Sequence, residues 1–175
     1  FVEEQYRNSS LLVTASGQES GAMATQAFTD AAINTTTVLT QSSATSTYGD
    51  VVMFWATVTA AVGTEVPDGT VEFWDGSTKM PGEPQILTTG SGTVTWSLPS
   101  HQYLIEGPHD NLHAVFIPTD PAIFNGSTSA SITHQVAPKQ ITASLTVADK
   151  VYDGTTAATG VIVTLNGVLA PDDVS

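Results

Sequence analysis

Short apolar segments with an alternating pattern, separated by turn residues, constrain this chain more than any other feature. Alternate positions of an extended strand face opposite sides. In residues 51–60, VVMFWATVTA, one side carries Val52, Phe54, Ala56 and Val58. Further segments of this kind lie at 35–41, 69–74, 85–89, 93–98, 111–117 and 128–136. Such regular spacing predicts seven short antiparallel strands in two packed sheets, not a helical bundle.

Turn chemistry supports an all-β chain. Asp-Gly pairs, which tight hairpins prefer, stand at 68–69, 75–76 and 153–154, and a Gly-Ser-Gly turn stands at 90–92. Residues 34–137 are therefore predicted to form an immunoglobulin-like antiparallel β-sandwich, flanked by partial β segments. Because the chain has no cysteine, packing alone must hold this core. The alternation of side chains along the strands places in this core Phe54 and also Phe73, Val94, Trp96, Leu98, Leu112, Ala114 and Phe116.

The two flanks are too short to bury cores of their own. Residues 1–33 contain candidate strands at 10–15 and about 22–28. We interpret them as the tail of a preceding β domain or as an extended arm that adds to a neighbour's sheet edge. Residues 138–175 contain candidate strands at about 141–147 and 161–165 and are interpreted as a partial β repeat. Because the chain begins with Phe rather than Met, we expect it to be a piece of something larger.

Charge excludes several classes of partner. The chain carries 17 acidic and 4 basic residues, which give a formal net charge of −13. So few cations cannot neutralise a run of phosphates, which excludes nucleic acid, and anionic membrane surfaces repel the chain for the same reason. No apolar stretch approaches the roughly 20 residues needed to cross a bilayer. We therefore predict no direct membrane insertion.

The pieces of the central segment also follow a known order. A Thr-rich first strand ending at Tyr48 and Gly49 is followed by VVMFWATV, PDGTVEFWDG, GSGTVTWSLP, HDNLHAVFIP and NGSTSASITHQV. In this order residues 34–137 resemble a bacterial immunoglobulin-like repeat of large surface proteins. Residues 150–155, KVYDGT, with Asp172 and Asp173 after them, resemble the opening of the YDG-type repeat of bacterial surface adhesins. The resemblance implies a tandem β-repeat protein outside the cell, with no catalytic residue to carry over.

No residue pattern indicates catalysis. His109 and His113 form an i, i+4 pair, but two such positions on a strand are about 13 Å apart, too far to bind one ion directly. We expect both to be solvent-exposed, whereas His134 shares the parity of the core and is expected to be hydrogen-bonded there. No Ser stands in a nucleophile elbow, and the acids are spread over turns rather than paired across a cleft. We predict that the chain is not an enzyme.

Calcium is the one cofactor that the sequence suggests. It takes six to eight oxygen ligands, and acidic residues at predicted strand ends and loops are candidates for this role: Asp110, Asp120, Asp149, Asp172 and Asp173. No Asp-x-Asp-x-Asp-Gly loop unites them in the sequence. The alternative, that these acids only keep the protein soluble, therefore stays open.

Five large apolar residues fall on the outward parity of the central strands: Met53, Trp55, Trp74, Val115 and Ile117. Contiguous outward apolar residues mark contact surfaces. In an immunoglobulin topology the third and sixth strands are neighbours, which places Trp74 beside Val115 and Ile117. We predict an interface here with neighbouring repeats or identical subunits, and a glycan bound through a tryptophan is the alternative.

Together these observations favour a non-enzymatic structural or spacer module of a bacterial extracellular adhesin or fibre. Its units are expected to associate head to tail through β edges and apolar patches, at the cell surface. Two alternatives stay open: a carbohydrate- or ligand-binding module, and a viral decoration or tail domain.

Overall fold

The computed structural model describes residues 10–29, 31–82, 84–87, 92–97, 104–170 and 172. Within these ranges every regular element is a β-strand, so the prediction of an all-β fold is confirmed. The strands are β1 (Ser10–Ser16), β2 (Met23–Thr29), β3 (Thr35–Gln41), β4 (Thr45–Thr47), β5 (Met53–Ala60), β6 (Gly69–Asp75), β7 (Thr78–Lys79), β8 (Gln85–Leu87), β9 (Thr93–Ser97), β10 (Gly107–Pro118), β11 (Ser127–Thr128), β12 (Ile132–Ala137), β13 (Thr142–Thr146) and β14 (Ile162–Asn166). No helix in the described part of the chain is long and apolar enough to span a membrane.

Two sheets form the central sandwich. The smaller has the order β3-β5-β9, and the larger has the order β4-β12-β10-β6-β7, with β8 paired to β6 and β11 paired to β10. The first strand of the sandwich is divided between them, because β3 pairs with β5 whereas β4 crosses to the other sheet. There β4 runs parallel to β12. The prediction that all strands are antiparallel is therefore wrong at this edge.

The core lies between the two sheets, and its residues follow the predicted parity. The alternating positions of β5, β6, β9 and β10 are buried, and the rings of Phe54 and Phe73 pack on Trp96 at centroid distances of 5.9 and 5.0 Å. The buried apolar set includes Val52, Phe54, Ala56, Val58, Phe73, Val94, Trp96, Leu112, Ala114 and Phe116. Leu98, also assigned to the core, lies outside the described residues.

One of the three Asp-Gly pairs has a different role from the one predicted. Gly76, at the β6–β7 turn, and Gly154 have φ of +57° and +75°, the left-handed values that turns require. Gly69 instead begins strand β6, where a Cβ would overlap the carbonyl oxygen of Ile117. Glycine is thus required at 69 by close packing of β6 on β10, not by a hairpin. Two residues of the predicted turn at 90–92 lie outside the described part.

The chain passes through the sandwich from one end to the other. At one end, just before β3, Ile33 donates its backbone N–H to the carbonyl of Ile123. At the opposite end, where β12 ends, the carbonyl of Ala137 accepts a hydrogen bond from the N–H of Tyr48. Beyond these points lie two separate antiparallel hairpins, β1–β2 on the amino side and β13–β14 on the carboxyl side.

Candidate functional site

The outer face of the larger sheet brings together three of the five predicted interface residues. Trp74 lies directly opposite His113, and Val115 lies diagonally from Trp74, opposite Glu72. Ile117 lies further along, opposite Thr70. Strand β8 extends this surface with Ile86, also opposite Thr70 and 71% exposed. Strand parity does not place Ile86 on this surface, because the pairing of β8 with β6 is a tertiary contact.

Trp74 is less accessible than its outward parity suggested. Its ring stacks on that of His113 at a centroid distance of 6.5 Å. Its indole Nε1 is buried and has no hydrogen-bond partner among the described residues. Beside it, the Lys79 ammonium lies 2.6 Å from the Glu72 carboxylate. The surface is therefore a mixed apolar and charged patch in which Trp74 is half-buried.

The other two predicted interface residues lie on the opposite side of the molecule. Met53 and Trp55 are on β5, the central strand of the smaller sheet, and face outward. Trp55 is half-buried, with Thr40 and Thr95 directly opposite it on the two flanking strands. The five residues therefore form two surfaces on different sheets, and no single patch contains them all.

Histidine 109 is buried, and the expectation that it is solvent-exposed is wrong. It is 7% exposed, with Nδ1 2.7 Å from the Asp75 carboxylate and Nε2 3.0 Å from the Ile105 carbonyl oxygen. The Gly-Pro pair before it suggested a turn, but these residues begin β10. Its partner Asp75 is 34 positions away in sequence, so local pattern could not reveal the pairing. His113, also expected to be exposed, is half-buried against Trp74.

Histidine 134 lies in the core, as its parity predicted, and connects β12 to β4 and to the segment just before β4. It is 1% exposed. Its Nε2 is 2.9 Å from the Ser46 hydroxyl, and its Nδ1 donates to the Ser43 carbonyl oxygen at 3.1 Å. Burial lowers the pKa of His134, the Ser43 carbonyl partly opposes this shift, and nearby His109 adds to it. These contacts describe a structural histidine.

The carboxyl end of the sandwich contacts the segment after β14. The Tyr48 hydroxyl donates to the Asp172 carboxylate at 3.1 Å, and a Cβ on Gly49 would overlap the side chain of Leu169. Burial, followed by the hydrogen bond to Asp172, raises the pKa of Tyr48. A cleft of about 270 Å³ opens at this junction, lined by Glu106 and Lys139 among others. The Tyr-Gly pair thus links the sandwich to the following hairpin.

The KVYDGT segment forms a loop organised by one lysine. The Lys150 ammonium lies 2.8 Å from the Asp153 carboxylate and donates to the carbonyl oxygens of Thr155 and Ala157 at 3.0 and 2.8 Å. The hydrogen bond from Lys150 lowers the pKa of Asp153, and bonds from Thr155 lower it further. Tyr152 itself is exposed. All the hydrogen bonds of the lysine ammonium lie inside the loop, and the neighbouring side chains of Val151 and Tyr152 are exposed.

The hairpin β13–β14 has one apolar and one mainly polar face. Ala143 lies opposite Leu165, and Leu145 lies opposite Val163 on the same face. Leu145 and Val163 are 66% and 62% exposed. The other face carries Thr142, Ser144, Thr146, Ile162, Thr164 and Asn166. A two-stranded hairpin is marginal by itself, so this uncovered apolar face is a candidate contact surface.

The acidic residues proposed as calcium ligands are dispersed in the structure. Asp110 lies on β10, Asp120 lies in the loop after it, and Asp149 precedes the Lys150 loop. Asp172 contacts Tyr48, and Asp173 lies outside the described residues. Among the described residues, no three His, Cys, Asp or Glu side chains are close enough to hold a metal ion. Calcium binding stays a prediction.

Comparison with known proteins identifies the central segment. A family model described as bacterial Ig-like domain (group 3) matches residues 39–137, more than half of the chain. No curated protein and no solved structure matches the chain. Domains of this family are typically found in surface or extracellular bacterial proteins, as structural or adhesion-type modules, and are generally non-catalytic. The chain therefore belongs to the bacterial Ig-like domains of group 3.

Proposed function

We propose that this chain is a non-enzymatic spacer module of a bacterial extracellular adhesin or fibre, joined head to tail with its neighbours and followed by a YDG-type repeat. The observation that carries the proposal is the path of the chain. It enters the sandwich beside Ile33 and leaves it after Ala137, at opposite ends. Units connected in this way extend in a line, and the sandwich sets the distance between them.

The two hairpins supply the surfaces for head-to-tail contact. On the carboxyl side, the apolar face of β13–β14 is centred on Leu145 and Val163. On the amino side, one face of β1–β2 carries Leu11 opposite Phe28, followed by Val13. We assign the β1–β2 face of one unit to the β13–β14 face of the next, where the two form a small sandwich.

Charge favours these faces over the rest of the surface. None of the strand residues of either hairpin is charged, in a chain with a net charge of −13. Two copies repel one another wherever acidic surfaces approach, and this repulsion is screened by salt. Uncharged apolar faces therefore meet with the least electrostatic cost. Association is expected to strengthen as the salt concentration rises.

The size of the contact predicts weak binding between separate chains. Strands of five residues are about 17 Å long, and two of them are about 10 Å wide, which gives a face on the order of 170 Å². Stable complexes bury about 800 Å² on each partner. The contact is thus expected to be populated at high concentration, or between consecutive units of one chain where the local concentration is high.

Complementation between two variants tests the assignment. In sedimentation velocity at high protein and salt concentrations, the parent chain should associate, whereas Leu145→Asp and Val13→Asp should each remain monomeric. A mixture of the two variants should form dimers, because one intact pair of faces remains. Ser144→Asp, on the other face of β13, is the matched control and should associate like the parent. Trp74→Ser should also associate, because Trp74 lies on the outer face of the larger sheet and on neither hairpin.

Two results would contradict the proposal. If the parent chain stays monomeric under all of these conditions, separate chains do not associate through the hairpins. A Val13→Asp variant that still associates, with no dimers gained on mixing, would mean that β13–β14 pairs with itself. That isologous pairing closes a dimer and cannot extend in a line.

A further inference from the structure

The three strands of the smaller sheet carry no charged residue. Their sequences are TTTVLTQ in β3, MFWATVTA in β5 and TVTWS in β9, in a chain with a net charge of −13. The strands of the larger sheet instead carry Glu72, Asp75, Lys79 and Asp110. A charged ligand that settled on the smaller sheet would lose water without gaining an ion pair. The ligand that this sheet fits is therefore a neutral one.

The outer face of the smaller sheet consists mainly of threonine. Alternate positions of β3, β5 and β9 face outward, because the positions between them are buried. The outward side chains are six threonines and three apolar residues: Thr36, Thr40, Thr57, Thr59, Thr93, Thr95, Val38, Met53 and Trp55. Threonine hydroxyls both donate and accept hydrogen bonds, and branching at Cβ restricts their rotamers. The face is thus a fixed array of neutral hydrogen-bonding groups.

Trp55 lies in the middle of this array. Thr40 and Thr95 lie directly opposite it on the two flanking strands, so one row across the sheet consists of a hydroxyl, an indole and a hydroxyl. The Thr40 hydroxyl donates to the Trp55 carbonyl oxygen at 3.4 Å, which leaves its own oxygen able to accept. The Thr95 hydroxyl forms no hydrogen bond within the described part of the chain. Neighbouring strands are about 4.8 Å apart, close to the length of one pyranose unit in a β-1,4-linked glucan.

The other outward tryptophan lacks such a setting. The Trp74 ring is stacked on His113, and its indole Nε1 is buried. The ion pair between Lys79 and Glu72 lies on the same surface. A sugar ring over Trp74 would have to displace charged side chains, whereas a sugar ring over Trp55 would meet hydroxyls on both sides. Between the two tryptophans, the geometry favours Trp55 as a sugar platform.

We propose that the outer face of β3, β5 and β9 binds a neutral polysaccharide. Trp55 stacks on the flat C–H face of one pyranose ring, and Thr40 and Thr95 form hydrogen bonds with sugar hydroxyls on either side of it. Pyranose rings with equatorial hydroxyls, as in β-1,4-linked glucan, have such a face. The strands are held from below by the buried side chains of Phe54, Ala56 and Val58, so little ordering is needed on binding. One ring and two hydroxyls make weak contact, and tandem modules on one polymer would bind more tightly through avidity.

Native electrophoresis of the full chain through gels that contain a polysaccharide tests the site. The net charge of −13 drives migration. Hydroxyethyl cellulose, which is neutral, should retard the parent chain relative to a gel without polymer, whereas carboxymethyl cellulose, an anionic polymer with the same backbone, should not. Trp55→Ala should abolish the retardation, and Trp74→Ala is the matched control that should be retarded like the parent.

A second pair of variants tests the hydroxyls without removing an aromatic ring. Thr95→Val keeps the shape of the side chain and should weaken the retardation several-fold. Thr36→Val, at the far end of the same face, should leave it nearly unchanged. This pair decides the question even if Trp55→Ala does not fold, which the urea midpoint of each variant reports.

Three results would overturn the proposal. The first is a parent chain that hydroxyethyl cellulose does not retard, and the second is equal retardation of Trp55→Ala and the parent, or of Thr95→Val and Thr36→Val. The third is self-association of the parent that Trp55→Ala abolishes in sedimentation velocity without any polymer, which would assign the face to a second copy of the chain. Leu145→Asp, which disrupts the proposed head-to-tail contact, should bind the glucan like the parent. Failure of one proposal is thus distinguishable from failure of the other.

Discussion

Replacement of Gly69 by alanine is the sharpest test of how the two central strands of the larger sheet pack. Gly69 lies opposite Pro118 at the start of β6. A Cβ there would overlap the Ile117 carbonyl oxygen and would lie 2.7 Å from the Phe116 ring and 2.8 Å from the Pro118 Cα. Two of these three atoms belong to the backbone of a paired strand, so they cannot move aside without shifting β10.

The expected cost follows from this contact. Overpacking of a well-packed site costs about 1–3 kcal/mol, and we expect Gly69→Ala to fall in the upper half of that range. The control is Gly76→Ala, where φ is +57° and a Cβ would meet nothing within 4 Å. Only left-handed strain of about 1–2 kcal/mol applies there. Urea titrations followed by tryptophan fluorescence, to which buried Trp96 contributes, should show the larger midpoint shift for Gly69→Ala, with an unchanged slope. An equal or smaller shift would refute the packing argument.

Three further predictions concern the core, a histidine and the carboxyl-side loop. Phe116→Ala should lower the free energy of unfolding by about 3–5 kcal/mol, since Phe116 is 1% exposed; a loss below about 1 kcal/mol would contradict its place in the core. Because burial lowers the pKa of His134, the unfolded chain takes up a proton before the folded one. The free energy of unfolding should therefore fall as the pH decreases below about 6.5, the ordinary pKa of histidine, until the lowered pKa is reached. A urea midpoint that depends on pH no more than that of His134→Gln would argue against this. Lys150→Met should increase proteolytic cleavage between residues 150 and 157 several-fold, while the free energy of unfolding of the sandwich changes by less than about 0.5 kcal/mol. An unchanged cleavage rate would mean that Lys150 does not hold the loop.

The core was predictable from the sequence because it depends on a local property. Side chains alternate across a strand whatever the topology, so the parity of Phe54, Trp96 and Phe116 assigned them to the interior before any strand pairing was known. The same rule placed His134 inside. Its partners could not be predicted, because Ser43 and Ser46 lie about 90 positions away and meet β12 only when the first strand divides between the sheets.

The features that the sequence did not predict arise from long-range pairing. The parallel edge depends on which sheet β4 joins, and its three residues have no pattern that decides this. Gly69 follows an aspartate as a turn glycine does, yet its need for glycine comes from Ile117, 48 positions later. The predicted interface residues shared outward parity, but parity cannot tell the two outer faces apart. Trp55 and Trp74 therefore looked equivalent although they lie on different sheets.

The distance between the two ends of the sandwich tests the central claim most directly. Nitroxide labels on Ala31→Cys and Gln140→Cys, measured by pulsed electron resonance, report where the chain enters and leaves. Strand β10 spans 12 residues, which corresponds to about 40 Å at roughly 3.3 Å per residue. A narrow distribution centred near 40 Å is the expected result for a module that extends in a line. A distance below about 25 Å, well short of one strand length, would place both ends on the same side and contradict the spacer function.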